Sequence, residues 1–333
     1  MANKMARWEA GEPGIDAMRL VQAARPEPLP GEVLVKVRAV ALNYRDLAIL
    51  EGTMGAWSPH FPGSDMAGEV VAVGEGVTRL SCGDRVVSLD ISNWIDGPAP
   101  QEGTNNAPFF GRLADYATVP AELLVHAPTS LDFAAASTLT VAGLTAWFAV
   151  VELGRVRAGD VVVIQGTGGV SLFAVQFACA HGARVIVVSS SSEKLDRLQK
   201  FHPIQGIDRS RQPEWDAQVL EWTGGRGADH ILEMAGGDIS RTLNALRIGG
   251  RISVIGLLAD EQLRVPILSI LLKRAQLIGI GVGHRRSMED MIRAVDQLKI
   301  QPIVDAIYPF AEAPAAFAHV KRGAFGKIVV SLV

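Results

Sequence analysis

The chain has 333 residues, 48% hydrophobic and 20% charged, so it is long enough for two folded domains and has an ordinary globular composition. A formal net charge of −3 without a basic cluster argues against nucleic-acid binding, and the two cysteines, Cys82 and Cys179, give neither a disulfide framework nor metal-ligand spacing. No apolar run approaches ~20 residues, the usual membrane span, and residues 1–10 lack the apolar core of a signal peptide, so we expect a soluble, cytoplasmic protein.

The first third of the chain has the pattern of short β-strands. Residues 31–40 place Val33, Val35 and Val37 on alternate positions, which predicts a half-buried strand. Shorter strands over 67–76, 84–89 and 116–119 are separated by turn residues. Residues 90–112 have no clear period and predict a long loop, which in a compact domain is usually functional or mobile.

The stretch 160–171 predicts a phosphate-binding turn. It begins with four consecutive β-branched apolar residues, 161–164, which indicate a strand buried on both faces, and an apolar helix over 172–180 follows the turn. Free N–H groups at such a helix start favour an anion, so we predict that the turn holds a dinucleotide pyrophosphate; a purely structural turn is the alternative. The predicted cofactor contacts are Gly166, Thr167, Gly168, Gly169 and Val170. Ser171 replaces the third glycine of the usual pattern and is small enough for close helix–strand packing.

Strands and helices alternate in the middle of the chain, after a predicted helix over 134–152. The pattern is strand 184–189, helix 192–200, strand 230–234, helix 239–246, strand 251–256, helix 266–273 and strand 276–282. This alternation predicts a doubly wound parallel sheet with helices on both faces. Two further helices, 287–298 and 314–321, and a strand over 327–332 complete the chain.

The residues at the end of the second strand of this sheet indicate whether the cofactor is NAD or NADP. An NAD-binding protein would place Asp or Glu there, whereas this chain has Ser189, Ser190 and Ser191, with Lys194 nearby. Small hydroxyl donors and a cation suit a 2′-phosphate, so NADP is favoured over NAD. A helix cap at Ser191 or Ser192 is the alternative explanation for the serines, and the two explanations are compatible.

Several segments in order resemble the zinc-independent medium-chain dehydrogenase/reductases, specifically the quinone oxidoreductase-like members. They are residues 41–46 (ALNYRD), 62–68 (PGSDMAG), 141–146 (VAGLTA), 166–171 (GTGGVS), 249–251 (GGR) and 326–329 (GKIV). The resemblance covers nearly the whole chain. It implies an α/β fold in which a GroES-like β-rich catalytic domain, residues 1–126 and 285–333, surrounds a Rossmann NADP-binding domain, residues 127–284.

The resemblance also implies that neither zinc site of the zinc-dependent relatives is present. Those relatives have cysteine, histidine and cysteine at the positions of Asn43, Ser64 and Val141, and a set of these three cannot form a tetrahedral zinc site. Residues 88–112 also lack the four close-spaced cysteines of the structural zinc lobe. We therefore expect no metal.

Without a Lewis acid, the expected chemistry is hydride transfer to an acceptor that is already polarised. Family position implies that Asn43, Tyr44, Arg45 and Asp46 line the substrate pocket and that Thr145 lies near the nicotinamide. Tyr44 either donates to the substrate or packs against the cofactor; Arg45 stabilises charge or forms a surface ion pair. Asp46 is expected to orient its neighbours. Asp65 is a general acid or a structural hydrogen-bond partner.

Aromatic residues on the predicted loops form either an apolar substrate wall or ordinary packing; they are Trp57, Trp94, Phe109 and Phe110. Arg285 and Arg286 are either solvated surface charges or cofactor contacts. The strand over 276–282 pairs across a two-fold axis in relatives, so the resemblance implies a homodimer.

The sequence thus predicts a zinc-independent, NADPH-dependent oxidoreductase that transfers hydride to an activated C=C bond or a quinone. Its expected partners are a small carbonyl or quinone substrate and a second copy of the chain, with no nucleic acid and no membrane. An alcohol or aldehyde dehydrogenase of the same superfamily is the first alternative. A nucleotide-binding protein without turnover is the alternative from another class.

Overall fold

The computed structural model describes residues 4–54, 60–100 and 111–333, and the chain divides into two compact units. Unit 1 combines Met1–Leu144 with Gly283–Val333, and unit 2 is Thr145–Val282. The predicted α/β class is confirmed. Unit 1 runs past the expected boundary at residue 126, because residues 133–143 pack on the strands of unit 1.

Unit 1 begins with mostly short strands, as the sequence predicts. The elements in chain order are β1 (Lys4–Ala10), β2 (Met18–Ala24), β3 (Glu32–Leu42), α1 (Tyr44–Leu50), β4 (Asp65–Val73), β5 (Arg85–Ser88), β6 (Tyr116–Pro120), β7 (Leu124–His126) and α2 (Phe133–Ser137). The antiparallel pair of β1 and β2 and the short helix α1 were not predicted, because none of them carries a long apolar period.

The predicted helix over 134–152 is not one regular α-helix. A wide π-helical turn, Leu139–Gly143, follows α2, and α3 (Leu144–Trp147) leads into a second π-helical turn, Phe148–Glu152. In the first turn the Val141 N–H donates to a carboxylate oxygen of Asp65 at 3.2 Å, and the Thr140 hydroxyl donates to the Ser88 carbonyl at 2.8 Å. These bonds tie the turn to the sheet of unit 1. Departures of this kind often mark functional sites.

Unit 2 alternates strands and helices. In chain order they are β8 (Val161–Gln165), α4 (Gly169–Ala180), β9 (Arg184–Ser189), α5 (Ser192–Gln199), β10 (Ile204–Asp208), α6 (Trp215–Trp222), β11 (Ala228–Glu233), β12 (Gly237–Asp238), α7 (Ser240–Ala245), β13 (Leu246–Val254), β14 (Leu263–Arg264), α8 (Ile267–Lys273) and β15 (Gln276–Gly279). Six of these strands form one parallel sheet in the order β10-β9-β8-β11-β13-β15. Counted along the chain this is 3-2-1-4-5-6, the order of the Rossmann fold.

The core of unit 2 explains this sheet. Val162, Val163 and Ile164 of β8 are fully buried, as expected for a central strand covered on both faces. β10 and α6 were not predicted, because β10 contains only two apolar residues and α6 follows it after a polar stretch. The strand predicted over 276–282 ends earlier, at Gly279.

The chain then returns to unit 1. The last elements are α9 (Arg285–Leu298), β16 (Val304–Pro309), α10 (Ala313–Arg322) and β17 (Lys327–Ser331). The main sheet of unit 1 has the order β16-β17-β3-β4-β5-β7, with β6 paired to β3. β17 therefore lies between β16 and β3. Within the described parts of the chain, no helix is both long enough and apolar enough to cross a membrane.

Candidate active site

The turn between β8 and α4 has the geometry of a phosphate cradle. Gly166 adopts φ +80°, a conformation that favours glycine, and Gly168 precedes α4 without a side-chain cap. A Cβ added at Gly168 would meet no atom within 4 Å, so the space next to the turn is open. Ser171, at the third glycine position, is buried and donates its hydroxyl to the Gln165 carbonyl at 2.8 Å. Ser171 is therefore small enough for this position and also stabilises the turn through its hydrogen bond.

A buried network that the sequence analysis missed supports this turn. Glu233, at the end of β11, accepts hydrogen bonds from Gln165 Nε2 at 2.7 Å and from the Thr242 hydroxyl at 2.6 Å. Gln165 Oε1 in turn accepts from the Met234 N–H at 3.3 Å. Glu233 thus connects the last residue of β8 to the start of α7, at the carboxyl edge where a Rossmann sheet binds its cofactor. The sequence feature that could have indicated this network is the acidic residue Glu233, which stands shortly before Gly236 and Gly237.

The serines after β9 have different roles. Ser189 is buried, and its hydroxyl accepts from the Ser191 N–H at 3.3 Å. The Ser191 hydroxyl accepts from the Lys194 N–H at 3.3 Å and caps α5, so the helix cap considered for it is present. Ser190 is exposed. Of the three serines it is the most exposed, since Ser191 is half-buried.

An aspartate close to these serines was not foreseen. Asp208 lies beside Ser189 in the register of β9 and β10, and it accepts hydrogen bonds from the hydroxyls of Ser192 and Ser210. Those hydrogen bonds lower the pKa of Asp208 to about 2. The carboxylate is therefore charged at neutral pH. Asp208 was not predicted as a site residue because β10 was not predicted.

In unit 1, the positions that hold zinc ligands in zinc-dependent relatives belong to one polar cluster. Asn43 Nδ2 donates to the Ser64 hydroxyl at 3.2 Å, and that hydroxyl donates to Asp65 Oδ1 at 3.0 Å. Asp65 Oδ2 accepts from the Val141 N–H at 3.2 Å. Asp46 closes the start of α1 by accepting from the Asn43 N–H at 2.7 Å.

Lys327 supplies a buried positive charge to this cluster. Its Nζ donates to Asn43 Oδ1 and to the Leu42 carbonyl, both at 2.6 Å. Burial raises the pKa of Asp46 and Asp65; the charge of Arg45 is the main influence that opposes the rise at Asp46, and the charge of Lys327 is the main one at Asp65. Burial likewise lowers the pKa of Lys327, against the attraction of the two carboxylates. In the sequence, Lys327 is recognisable only as a member of the family segment 326–329, and no role was predicted for it.

An ion pair borders the cluster. Arg45 Nη1 donates to Asp90 Oδ2 at 2.6 Å, and Nη2 donates to the other carboxylate oxygen. Burial lowers the pKa of Arg45, but the bonds to Asp90 outweigh it and the pKa is raised. Arg112 is buried and donates to the Ser64 carbonyl, and burial lowers its pKa.

The remaining predicted site residues are spread over both units. Tyr44 opens α1 with 49% of its surface exposed, and within the described residues its hydroxyl has no hydrogen-bond partner. Thr145 is buried at the start of unit 2. Thr167 is buried in the glycine turn, with Gly169 and Val170 half-buried at the start of α4.

The aromatic wall considered at the sequence level falls mostly on residues outside the described ranges, namely Trp57, Phe109 and Phe110. Trp94 is buried against His284, with ring centroids 5.6 Å apart. Arg285 and Arg286 pair with Glu122 and Asp96. Neither alternative included these ion pairs; Arg286 is exposed, as expected for a surface charge, whereas the side chain of Arg285 is mostly buried.

Comparison with known proteins identifies the family. Residues 29–129 match the alcohol dehydrogenase GroES-like domain and residues 169–297 match the zinc-binding dehydrogenase family. A zinc-type alcohol dehydrogenase-like protein of Schizosaccharomyces pombe is 37% identical over 96% of both chains. The chain belongs to the medium-chain dehydrogenase/reductase superfamily. This confirms the predicted superfamily and the predicted oxidoreductase class.

Other members of the superfamily differ in their names. A structure from Sinorhizobium meliloti 1021 assigned as an alcohol dehydrogenase superposes with a TM-score of 0.93 at 46% identity, covering 100% of both chains. The quinone oxidoreductase of Sus scrofa is 27% identical over 96% of this chain and 95% of its own. This medium-chain dehydrogenase/reductase is therefore an NAD(P)H-dependent oxidoreductase. Its substrate class is not decided by these relatives.

The nicotinamide cofactor of the superfamily fits unit 2. The uncapped start of α4 offers backbone N–H groups to a pyrophosphate, and Gly168 leaves open space beside them. The residues that would hold the dinucleotide are those of the turn after β8 and of the β9–α5 connection.

Zinc, by contrast, does not fit the polar cluster at Asn43, Ser64 and Val141. Asn43, Ser64 and Val141 provide an amide, a hydroxyl and no side-chain donor, and the Lys327 ammonium group is hydrogen-bonded to the amide oxygen. Zinc in proteins is bound by thiolates, imidazoles and carboxylates. The described ranges contain no group of three or more His, Cys, Asp or Glu residues able to hold a metal.

Proposed function

We propose that this enzyme is a zinc-independent, NADPH-dependent reductase of an activated C=C bond or a quinone. The observation that carries the proposal is the contact between Lys327 Nζ and Asn43 Oδ1 at 2.6 Å. A fixed ammonium group beside the former ligand position repels a metal cation. It also contributes positive charge to the cluster of Asn43, Ser64 and Asp65.

The proposed chemistry uses that charge. A bound nicotinamide would supply hydride to the β-carbon of an enone or to a quinone, and this transfer would leave negative charge on the acceptor oxygen. Donors and cations that are already in place stabilise such charge without reorganisation. The hydrogen bond between Lys327 and Asn43 fixes the position of the lysine's positive charge. The ion pair with Asp90 fixes Arg45 nearby.

We assign Tyr44 as the group that donates the proton to the substrate. Its phenol is partly exposed, whereas both oxygens of Asp65 already accept hydrogen bonds from the protein. We therefore assign Asp65 and Asp46 a positioning role, in which they orient Ser64 and the start of α1.

For the cofactor we propose NADPH. No acidic residue directly follows β9, and the exposed hydroxyl of Ser190 suits a phosphate oxygen. Asp208 opposes this preference with its charge, but its carboxylate already accepts two serine hydroxyls. Ser190 and Lys194 therefore support a 2′-phosphate, with Asp208 as the feature that limits the preference.

A kinetic panel tests the proposal. The oxidation of NADPH and of NADH is followed with quinones, enones, enoyl thioesters and aldehydes, and the metal content is measured by mass spectrometry. We expect NADPH oxidation with a quinone or an activated C=C compound and no stoichiometric zinc. The variant Tyr44→Phe should lower kcat by on the order of 10²-fold or more if the phenol transfers the proton. Stoichiometric zinc, or the absence of turnover with every such acceptor, would refute the proposal.

A second candidate is an alcohol or aldehyde dehydrogenase. It is favoured by the names of two relatives, the zinc-type alcohol dehydrogenase-like protein and the alcohol dehydrogenase from Sinorhizobium. Oxidation of simple alcohols by metal-free enzyme, without reduction of enones or quinones, would establish this candidate instead.

A further inference from the structure

A cavity of about 310 Å³ lies at the amino edge of the unit 2 sheet, and no step of the proposed reaction uses it. Four arginines line it: Arg155, Arg157, Arg247 and Arg251. They come from the connection that leads into β8 and from β13. The volume is at the lower end of the range for small-molecule sites.

The carboxylates at this cavity do not neutralise the arginines. Asp229 is buried and accepts from Arg226 at 2.8 and 2.5 Å and from Arg247 at 2.6 Å, so two guanidinium groups share one carboxylate. Asp160 lines the cavity too, but its Oδ2 accepts from the backbone N–H of Arg157 at 2.9 Å.

Three guanidinium groups are left without a carboxylate. Arg251 donates only to neutral acceptors, the Gly154 carbonyl and Gln276 Oε1. Arg155 and Arg157 are exposed, and neither side chain has a hydrogen-bond or ion-pair partner among the described residues. Even with Asp160 counted, the cavity keeps a net positive charge, although the whole chain carries −3.

We propose that this cavity binds a small multivalent anion that carries phosphate or carboxylate groups. Guanidinium groups match both of these anions with two parallel hydrogen bonds, and several unpaired arginines converge here on one concave surface. Arg155 and Arg157 contact the anion from the connection before β8, and Arg251 contacts it from β13.

This site is distinct from the cofactor turn. Asp160 directly precedes β8 and Gly166 directly follows it, so the cavity and the turn lie at opposite ends of the same strand. Five residues of strand separate them by roughly 17 Å. An anion in the cavity therefore leaves the pyrophosphate position free.

Isothermal calorimetry on the whole protein tests the proposal. The protein is first saturated with its nicotinamide dinucleotide, so that the turn after β8 is occupied, and is then titrated with inorganic phosphate or with citrate at constant ionic strength. We expect at least one of these probes to bind with a dissociation constant of millimolar or below. The probe that binds more tightly identifies whether the ligand is a phosphate or a carboxylate compound.

The variant Arg155→Gln/Arg157→Gln should weaken this binding by at least tenfold and leave the dinucleotide affinity unchanged. The control, Arg293→Gln/Arg322→Gln, removes the same total charge from exposed positions of unit 1 and should bind the probe like the parent protein. The proposal is overturned if neither probe binds, or if the first variant and the control bind it equally.

Discussion

Lys327 is the residue on which the candidate active site depends most. Its ammonium group is buried and bonds to Asn43 and to the Leu42 carbonyl, and Asp46 and Asp65 are the buried carboxylates whose charge it offsets. Removing one member of such a set leaves the others as uncompensated buried charges. The lysine thus links the stability of unit 1 to the polarity of the site.

Replacing this lysine by methionine should therefore destabilise the protein. For Lys327→Met we expect the free energy of unfolding to fall by about 3–5 kcal/mol, because Asp65 loses the cation that offsets its burial most strongly. The double variant Lys327→Met/Asp65→Asn should recover part of this loss, with a coupling energy of about 1–3 kcal/mol. Urea unfolding of the four members of this cycle gives both values.

The control for this cycle is Lys321→Met, because Lys321 is exposed on α10 and pairs with Glu51 at the surface. It should change stability by no more than about 0.5 kcal/mol. Additive effects of Lys327→Met and Asp65→Asn would show that the two charges do not interact.

His230 should make stability depend on pH. It is buried, its Nε2 is 2.8 Å from the Ser253 hydroxyl, and burial together with the charge of Arg251 lowers its pKa to about 3. Its ordinary pKa is 6.5, so between these values the unfolded chain binds a proton that the folded chain does not. The contribution of His230 to the free energy of unfolding is therefore fully present above pH 6.5. It is lost as the pH falls toward 3, by up to about 1.4 kcal/mol per pH unit.

The measurement is chemical unfolding at several pH values from 7 to 5. His230→Gln lacks the titrating group, so its unfolding free energy should fall less steeply with decreasing pH than that of the parent protein. Other carboxylates contribute equally to both curves and cancel in the difference. Parallel curves would mean that His230 is protonated in the folded state as readily as in the unfolded chain.

At the residue scale, the sequence could predict some of the site and not the rest. Asn43, Asp46 and Asp65 were found because they belong to recognisable family segments close to each other in the chain. Lys327 is 284 positions from Asn43, and no local pattern shows that the two side chains meet. Asp208 was missed for the same reason, because its relevance depends on the pairing of β9 with β10.

At the scale of elements, the connection between β9 and α5 should decide the cofactor. Introducing an acid by Ser190→Asp adds a carboxylate that repels a 2′-phosphate and accepts hydrogen bonds from free ribose hydroxyls. We expect the ratio of kcat/KM for NADPH over NADH to fall by at least tenfold, which corresponds to about 1.4 kcal/mol. Initial rates with each cofactor measure this ratio.

Ser190→Asn is the matched control, since it has the same shape as the aspartate without the charge. It should retain most of the preference for NADPH. If both variants lower the ratio to the same extent, the size of the side chain rather than its charge is responsible.

Elements with strong periodicity were predictable and polar ones were not. The bounds of β9 were correct to the residue, because its apolar run is continuous and ends in serines. The helix over 134–152 was predicted from its apolar composition, but the π-helical turn within it depends on the bond from the Val141 N–H to Asp65. That bond joins segments far apart in the sequence, so composition could not reveal it.

For the whole molecule, the expected homodimer stays a prediction, and two features of unit 2 support it. β15 is an edge strand of the parallel sheet, with unpaired backbone groups on one side. The preceding helix α8 exposes Ile267, Leu268, Leu271 and Leu272, each by about two thirds or more. An apolar face of this kind next to an open edge is typical of a protein–protein interface.

Sedimentation analysis should therefore show a dimer. Leu268→Glu/Leu271→Glu places charges in the apolar face and should shift the protein to a monomer at micromolar concentration. The control Leu29→Glu/Leu298→Glu changes two exposed leucines of unit 1 and should leave the dimer intact. A parent protein that sediments as a monomer would contradict the prediction.

The position of β17 has a consequence for how the protein is made. This strand lies between β16 and β3, yet the whole of unit 2 is synthesised after β3 and before β17. The 284 positions between Asn43 and Lys327 take roughly 15 to 60 s to translate at ordinary rates. During that time residues 39–42 of β3 lack their β17 partner and the charge of Lys327 is missing from the cluster, whereas unit 2 is continuous in sequence, so unit 2 is expected to fold on the ribosome first. The sheet of unit 1 can be completed only after unit 2 has been synthesised, and nascent chains caught before β17 emerges should be the ones that chaperones hold.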